Sequence, residues 1–76
     1  MIQLYTTNNC PYCDAVKIIL KENKVKYEEH NVAADEVRRE EMIKLTGMRK
    51  VPVLRNGDAF TVGADESEVM RIVNNV

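Results

Sequence analysis

The chain reads as an α/β fold with the element order β-α-β-α-β-β-α, in which a four-stranded mixed sheet is covered by three helices. Three observations predict it. Apolar and polar residues alternate at the start, in Ile2, Leu4 and Thr6 against Gln3 and Tyr5; apolar stripes at helical spacing follow Pro11 and Asp65; and Asn56-Gly57 separates two strand-like runs.

The alternating segment predicts a first strand over Ile2–Thr6, ended by the polar Thr7-Asn8-Asn9. Pro11 suits the first position of a helix, where its missing N–H would have no partner anyway. Ala15, Val16, Ile19 and Leu20 then recur at helical spacing, so the first helix is expected over Cys10–Glu22, ended by Asn23-Lys24. Val25–Asn31, with Tyr27 among charged residues, is expected as a second strand near a sheet edge. Asp35–Thr46 is helical by composition and Gly47 is its natural C-terminal cap, although Val37, Met42, Ile43 and Leu45 keep a looser period. Val51-Pro52-Val53-Leu54 is the expected third strand, opened by Pro52, with Asn56-Gly57 as a two-residue turn and Ala59–Val62 as the fourth strand. Asp65 with Glu68 three residues on resembles a capping box, and Val69, Ile72, Val73 and Val76 form the stripe of a last helix. The right-handed crossover rule makes the first two strands parallel, and the tight turn makes the last two antiparallel.

A chain of 76 residues, 45% apolar, with 11 basic against 12 acidic residues, fits one domain over residues 1–76. Lys and Arg are scattered among Asp and Glu, so no basic stripe exists to neutralise phosphates, and nucleic acid is not expected as a partner. No run approaches the ~18 apolar residues of a membrane span. Met1 leads directly into the first strand without a signal-like segment, and the expectation is a soluble, cytoplasmic protein. In such a compartment a cysteine pair is held mainly reduced and signals catalysis or metal binding more often than a permanent bridge. A bond between Cys10 and Cys13 would close so short a loop that the chain-entropy estimate gives about 2 kcal/mol, against roughly 4.7 for a long one. As a staple it is poor, and chemistry that needs a bond easily made and broken explains the pair better.

A cysteine where a strand meets a helix start lies among unpaired backbone N–H groups at the positive end of the helix dipole, and both favour thiolate over thiol. Cys10 occupies that place. Cys13 follows three residues later, one turn further in and more buried, so the expected roles are Cys10 as nucleophile and Cys13 as the thiol that resolves the mixed disulfide. Pro11 stiffens the turn and Tyr12 is expected to wall a shallow groove. The same spacing occurs in metal sites, but a closed zinc site needs four ligands and the chain offers two cysteines and His30, so no metal is expected within one chain. An iron–sulfur cluster bridged by Cys10 from two subunits stays open as an alternative.

Cys10-Pro11-Tyr12-Cys13 after Leu4-Tyr5-Thr6, with Thr46-Gly47-Met48-Arg49-Lys50-Val51-Pro52, Asn56-Gly57 and Gly63-Ala64-Asp65, resembles the glutaredoxins of the thioredoxin-fold superfamily over essentially the whole chain. The resemblance implies a cis Val51–Pro52 peptide beside Cys10, where the backbone bonds an extended substrate as an added strand. It implies a dithiol enzyme that reduces protein disulfides and glutathione mixed disulfides, with glutathione as reducing co-substrate and no tightly bound cofactor. Val51 would pair with the cysteine backbone of the tripeptide. Ala64 and Asp65 would hold its γ-glutamyl carboxylate and amine, and Arg49, with Lys50, its glycine carboxylate. The implied partners are glutathione and disulfide-containing proteins, ribonucleotide reductase among them, and the implied state is a monomer.

Three positions depart from the family pattern: Thr7 stands where a basic residue is common, Lys50 where Thr often precedes Val-Pro, and Val62 for the first glycine of a Gly-Gly pair. They keep a second enzyme reading open, a glutaredoxin-like redoxin reduced by thioredoxin reductase that supplies ribonucleotide reductase. The usual Trp-Ser-Gly-Phe-Arg-Pro segment of such redoxins is replaced here by Phe60-Thr61-Val62-Gly63-Ala64-Asp65. Elsewhere the plain readings suffice. Tyr5 and Tyr27 are sheet residues, Met42, Met48 and Met70 packing residues, and His30 a surface or strand-end histidine. Asp65 is at minimum a helix cap, and Arg49 and Lys50 are at minimum solvated charges.

Overall fold

The computed structural model describes residues 1–75. Its elements run β1 (Ile2–Thr6), α1 (Pro11–Glu22), β2 (Tyr27–Asn31), α2 (Glu36–Thr46), β3 (Val53–Asn56), β4 (Ala59–Val62) and α3 (Glu66–Val73). The strand order is β2-β1-β3-β4, with β2 parallel to β1, and β3 antiparallel to both β1 and β4. The element order and the two expected pairings are therefore those of the sequence reading, and β2 lies at an edge.

Alternation along β1 sorts the core into two layers, because successive side chains leave a strand on opposite faces. Leu4 pairs with Leu54, and both pack with Val16 and Leu20 of α1 and Val69 and Ile72 of α3. Tyr5 pairs with Val53, and both pack with Val32 and with Met42 of α2. Helices α1 and α3 thus cover one face and α2 the other. The loose apolar period of α2 follows: Met42 is buried, whereas Val37 is 71% exposed, so a single turn does most of its docking.

Each helix start is capped from its own sequence. Cys10 has extended backbone at φ −116° and ψ 100°, with Pro11 in the first turn; the Asp35 carboxylate accepts from the Arg38 N–H at 3.1 Å; and the Asp65 carboxylate accepts from the Glu68 N–H at 3.2 Å. The other half of the expected capping box is replaced, since Glu68 is held by Arg71 at 3.1 and 3.2 Å. Gly47 ends α2 at φ 71°, in the left-handed region that glycine enters without steric cost. Val69 and Ile72 are buried and Val73 half-buried as expected, and Val76 lies outside the described residues.

Several boundaries and environments differ from expectation for visible reasons. β2 begins at Tyr27 rather than Val25, because the Val25 N–H still donates to the Leu20 carbonyl at 2.9 Å and Lys24 sits at φ 56°, which together close α1 in a Schellman turn. β3 runs over Val53–Asn56 rather than from Val51: Val51–Pro52 is cis, Pro52 has no N–H to give, and the ladder starts after it. The hairpin turn is Gly57-Asp58, not Asn56-Gly57. Asn56 is still paired with Ala59, and Gly57 at φ 65° takes the first central place, the position a type II′ turn reserves for glycine. Asn56 is freed to donate its amide to the Ile72 carbonyl at 3.0 Å and the Asn75 carbonyl at 2.9 Å, tying the hairpin to the end of α3. Met48 is 38% exposed rather than packed. His30 is the penultimate residue of β2, in keeping with the strand-end reading, but it is not a surface residue: its side chain is only 11% exposed, with its ring 5.5 Å from that of Tyr5.

Candidate active site

Strand β1 ends at Thr6 and the chain reaches the head of α1 through Thr7-Asn8-Asn9. Asn9 takes φ 55°, a conformation asparagine tolerates better than most residues. That bend delivers Cys10 as the N-cap of α1. Its Sγ accepts the Cys13 N–H at 3.1 Å, in the role a serine or aspartate oxygen plays in other caps, while its carbonyl accepts the Asp14 N–H at 3.1 Å. Cys10 and Cys13 are joined by a disulfide with their Cα atoms 5.2 Å apart, so the structure is the oxidised form. The two sulfurs are not equivalent. Cys13 is 1% exposed beneath the first turn, and Cys10 is half-buried with exposed Pro11 and Tyr12 beside it.

The register of the sheet fixes what lies next to this turn. β1 and β3 pair up to Tyr5 with Val53, and β3 and β4 pair Val53 with Val62; continuing each ladder by one residue sets Pro52 between Thr6 and Gly63. The Gly63 N–H donates to the Pro52 carbonyl at 2.9 Å, which secures that edge. Val51, Pro52 and Ala64 are thereby gathered at the end of the sheet from which the cysteine loop departs. Among the described residues the main-chain N–H and C=O of Val51 have no hydrogen-bond partner. Tyr12 is 68% exposed, Arg49 and Lys50 are exposed without an ion-pair partner among the described residues, and Asp65 is exposed with one carboxylate oxygen spent on its cap. Neither Arg49 nor Lys50 bonds to the cysteine turn.

Two polar arrangements near the turn escaped the sequence reading. Lys17, one turn beyond Cys13 on α1, meets the Glu29 carboxylate at 2.8 Å, and the buried Thr6 hydroxyl donates to the same carboxylate at 2.9 Å. The hydrogen bond to Lys17 holds the Glu29 carboxyl below its ordinary pKa, and the reciprocal bond holds Lys17 above its own. Asn31 donates its side-chain amide to Asn8 at 2.8 Å in the loop before Cys10. Neither pair lies within a helical turn of itself in sequence, so only the placement of β2 beside β1 reveals them. Two surface depressions of about 310 and 320 Å³ lie along α2 and contain none of the expected site residues. No group of three or more metal-ligating side chains occurs among the described residues.

A Cys-x-x-Cys pair bonded at the head of the first helix, on a four-stranded mixed sheet with helices on both faces, defines a thiol–disulfide oxidoreductase of the thioredoxin fold. The glutaredoxin family model matches residues 2–60. A glutaredoxin-like 8.6 kDa protein of the rubredoxin operon of Clostridium pasteurianum is 34% identical over 73 residues, covering 96% of this chain and 97% of its own length. This chain belongs to the glutaredoxin family. The glutaredoxin-like protein NrdH of Lactococcus lactis is 31% identical and covers 95% of this chain and 99% of itself. Among solved structures, Escherichia coli NrdH-redoxin superposes with a TM-score of 0.81 at 28% identity, covering 93% of this chain and 92% of its own. The glutaredoxin of Archaeoglobus fulgidus superposes at 0.88, covering 97% and 86%, and at 22% identity it speaks for the fold alone.

Proposed function

We propose that this chain is a dithiol reductase in which Cys10 is the nucleophile, Cys13 the resolving thiol and glutathione the electron source. The observation that carries the reading is the asymmetry of the pair: Cys10 caps α1 with its sulfur on the Cys13 N–H, whereas Cys13 is 1% exposed. In the reduced enzyme the Cys10 thiolate attacks one sulfur of a target disulfide, and the other leaves as a thiolate that takes a proton from solvent. Cys13 then loses its proton and attacks Cys10 Sγ, expelling the second target thiolate and leaving the Cys10–Cys13 bond. Glutathione thiolate reopens that bond at Cys10, and a second glutathione removes the first as glutathione disulfide.

The unpaired main-chain groups of Val51 support strand-like pairing of the tripeptide beside the disulfide, with Pro52 shaping the edge and Tyr12 flanking it. Ala64 and Asp65, at the positive end of α3, suit a γ-glutamyl carboxylate and its ammonium, and Arg49 and Lys50 suit the glycine carboxylate. The reading includes work as a monomer in a reducing compartment, the cytoplasm, on disulfide-bearing proteins such as ribonucleotide reductase.

A second reading has its own support. Thr7 and Val62 depart from the glutaredoxin pattern, and NrdH relatives cover nearly the whole chain, one of them, the Escherichia coli NrdH-redoxin, being a glutaredoxin-like protein with a thioredoxin-like activity profile. In that reading thioredoxin reductase replaces glutathione. Steady-state reduction of a glutathionylated disulfide, with glutathione and glutathione reductase in one arm and thioredoxin reductase in the other, separates the two. Turnover in the first arm is the expected result, and turnover confined to the second overturns the glutathione assignment.

A further inference from the structure

We infer that Asn31, at the end of β2, is a positioning residue for Cys10: its bond to Asn8 holds the loop that sets the nucleophile at the head of α1. The inference rests on the reading of Cys10 as the attacking thiol.

The loop between β1 and the cap is Thr7-Asn8-Asn9, and its entry is fixed by the sheet, since the Thr6 carbonyl accepts the Val32 N–H at 2.8 Å. Beyond Thr6 the chain must turn through Asn9 at φ 55° to bring Cys10 to φ −116° and ψ 100°. A left-handed non-glycine residue is uncommon and is kept by its surroundings. Among the described residues the side-chain restraint on this loop is the 2.8 Å bond from Asn31 Nδ2 to Asn8 Oδ1.

Asn31 is itself immobilised. Its Oδ1 accepts the Ala33 N–H at 2.9 Å, which fixes the side-chain amide with its N–H pointing to Asn8. Its carbonyl accepts the Ala34 and Asp35 N–H groups at 3.2 and 3.0 Å, binding it to the turn that leads into α2. Asn31 therefore joins the end of β2, the approach to α2 and the loop before Cys10 at one point. The sulfur's bond to the Cys13 N–H at 3.1 Å requires the cap geometry that this junction maintains. With the loop loosened, Cys10 spends time away from that N–H and its thiolate is less favoured.

The test compares reduced wild-type protein with Asn8→Ala, Asn31→Ala and the double variant, reading the pH dependence of Cys10 alkylation by mass spectrometry. Among the described residues Asn8 makes no other side-chain bond, so Asn8→Ala removes this link alone. Asn23→Ala is the control, losing a comparable 2.8 Å bond to the Ile19 carbonyl at the far end of α1. Loosening the loop should raise the Cys10 alkylation midpoint, lowering the thiolate population at a fixed pH below it by up to about tenfold. The double variant should shift Cys10 no further than Asn31→Ala, which already removes both the link to Asn8 and the bond from the Ala33 N–H, and Asn23→Ala should match wild type. A wild-type midpoint in Asn8→Ala, or the same shift in Asn23→Ala, overturns the inference. Turnover by Cys10→Ser would instead overturn the assignment of Cys10, and the alkylation data would still report on the loop.

Discussion

At Cys10 two effects act on one sulfur: the Cys13 N–H donates to it at 3.1 Å, and the unpaired N–H groups of the first turn of α1 place partial positive charge beside it. Once the Cys10–Cys13 bond is reduced both favour the thiolate, at about 1.5–3 kcal/mol for a hydrogen bond to a charged group and about 0.3–1 for a helix terminus, and the exposed Asp14 in the same turn opposes them. The thiolate of reduced Cys10 should consequently form below the ordinary range of a free cysteine. Iodoacetamide alkylation against pH measures this, and a midpoint near the free value would refute it. The cysteine pair and its place at the start of α1 were legible in the sequence because helix-start chemistry is local. Asn8 and Asn31 were not, because their bond spans two strands.

At the scale of elements, local signals were read well wherever one residue type solves one geometric problem. Pro11, Asp65 and Gly47 sit at the helix ends their chemistry demands. Misreadings arose where neighbouring elements compete for a residue. Asn56 looked like half of a turn but belongs to the β3–β4 ladder and clamps α3, and Val25 looked like strand but completes the end of α1. The Lys17–Glu29 pair, joining α1 to the edge strand β2, gives a prediction of its own. Glu29 titrates below its unfolded value, so the pair's contribution is present above that value and fades as pH falls through the folded pKa. Lys17 titrates above its unfolded value, so the contribution is present below that value and fades as pH rises through the folded pKa. Both side chains are about a third exposed, at 32% and 38%, and solvent screening limits the pair to less than about 1 kcal/mol. Glu29→Gln should therefore be less stable than wild type near neutral pH by up to that amount, and the gap should close in acid. Denaturant titrations at pH 7 and pH 3 would check it, and an equal gap at both would contradict the assignment.

Across the whole molecule, stability rests on two apolar layers around one sheet, with the cysteine turn mounted at the sheet's end. Leu20 is 0% exposed in the α1–α3 layer, and its replacement by alanine should cost about 2–5 kcal/mol, much of what a domain this small possesses. Ile18, two residues away but 58% exposed, should tolerate alanine with a change within about 0.5 kcal/mol. Comparable losses in thermal unfolding would mean that α1 is turned wrongly on the sheet. With the scaffold fixed in this way, the same orientation of α1 leaves Cys10 reachable and Cys13 covered. The direct test of that claim is to incubate reduced Cys13→Ser and Cys10→Ser variants with glutathione disulfide and locate the adduct by fragment mass. The account predicts a stable glutathionyl group on Cys10 of the first variant and little on Cys13 of the second; equal modification of both, or modification of Cys13 alone, would contradict it.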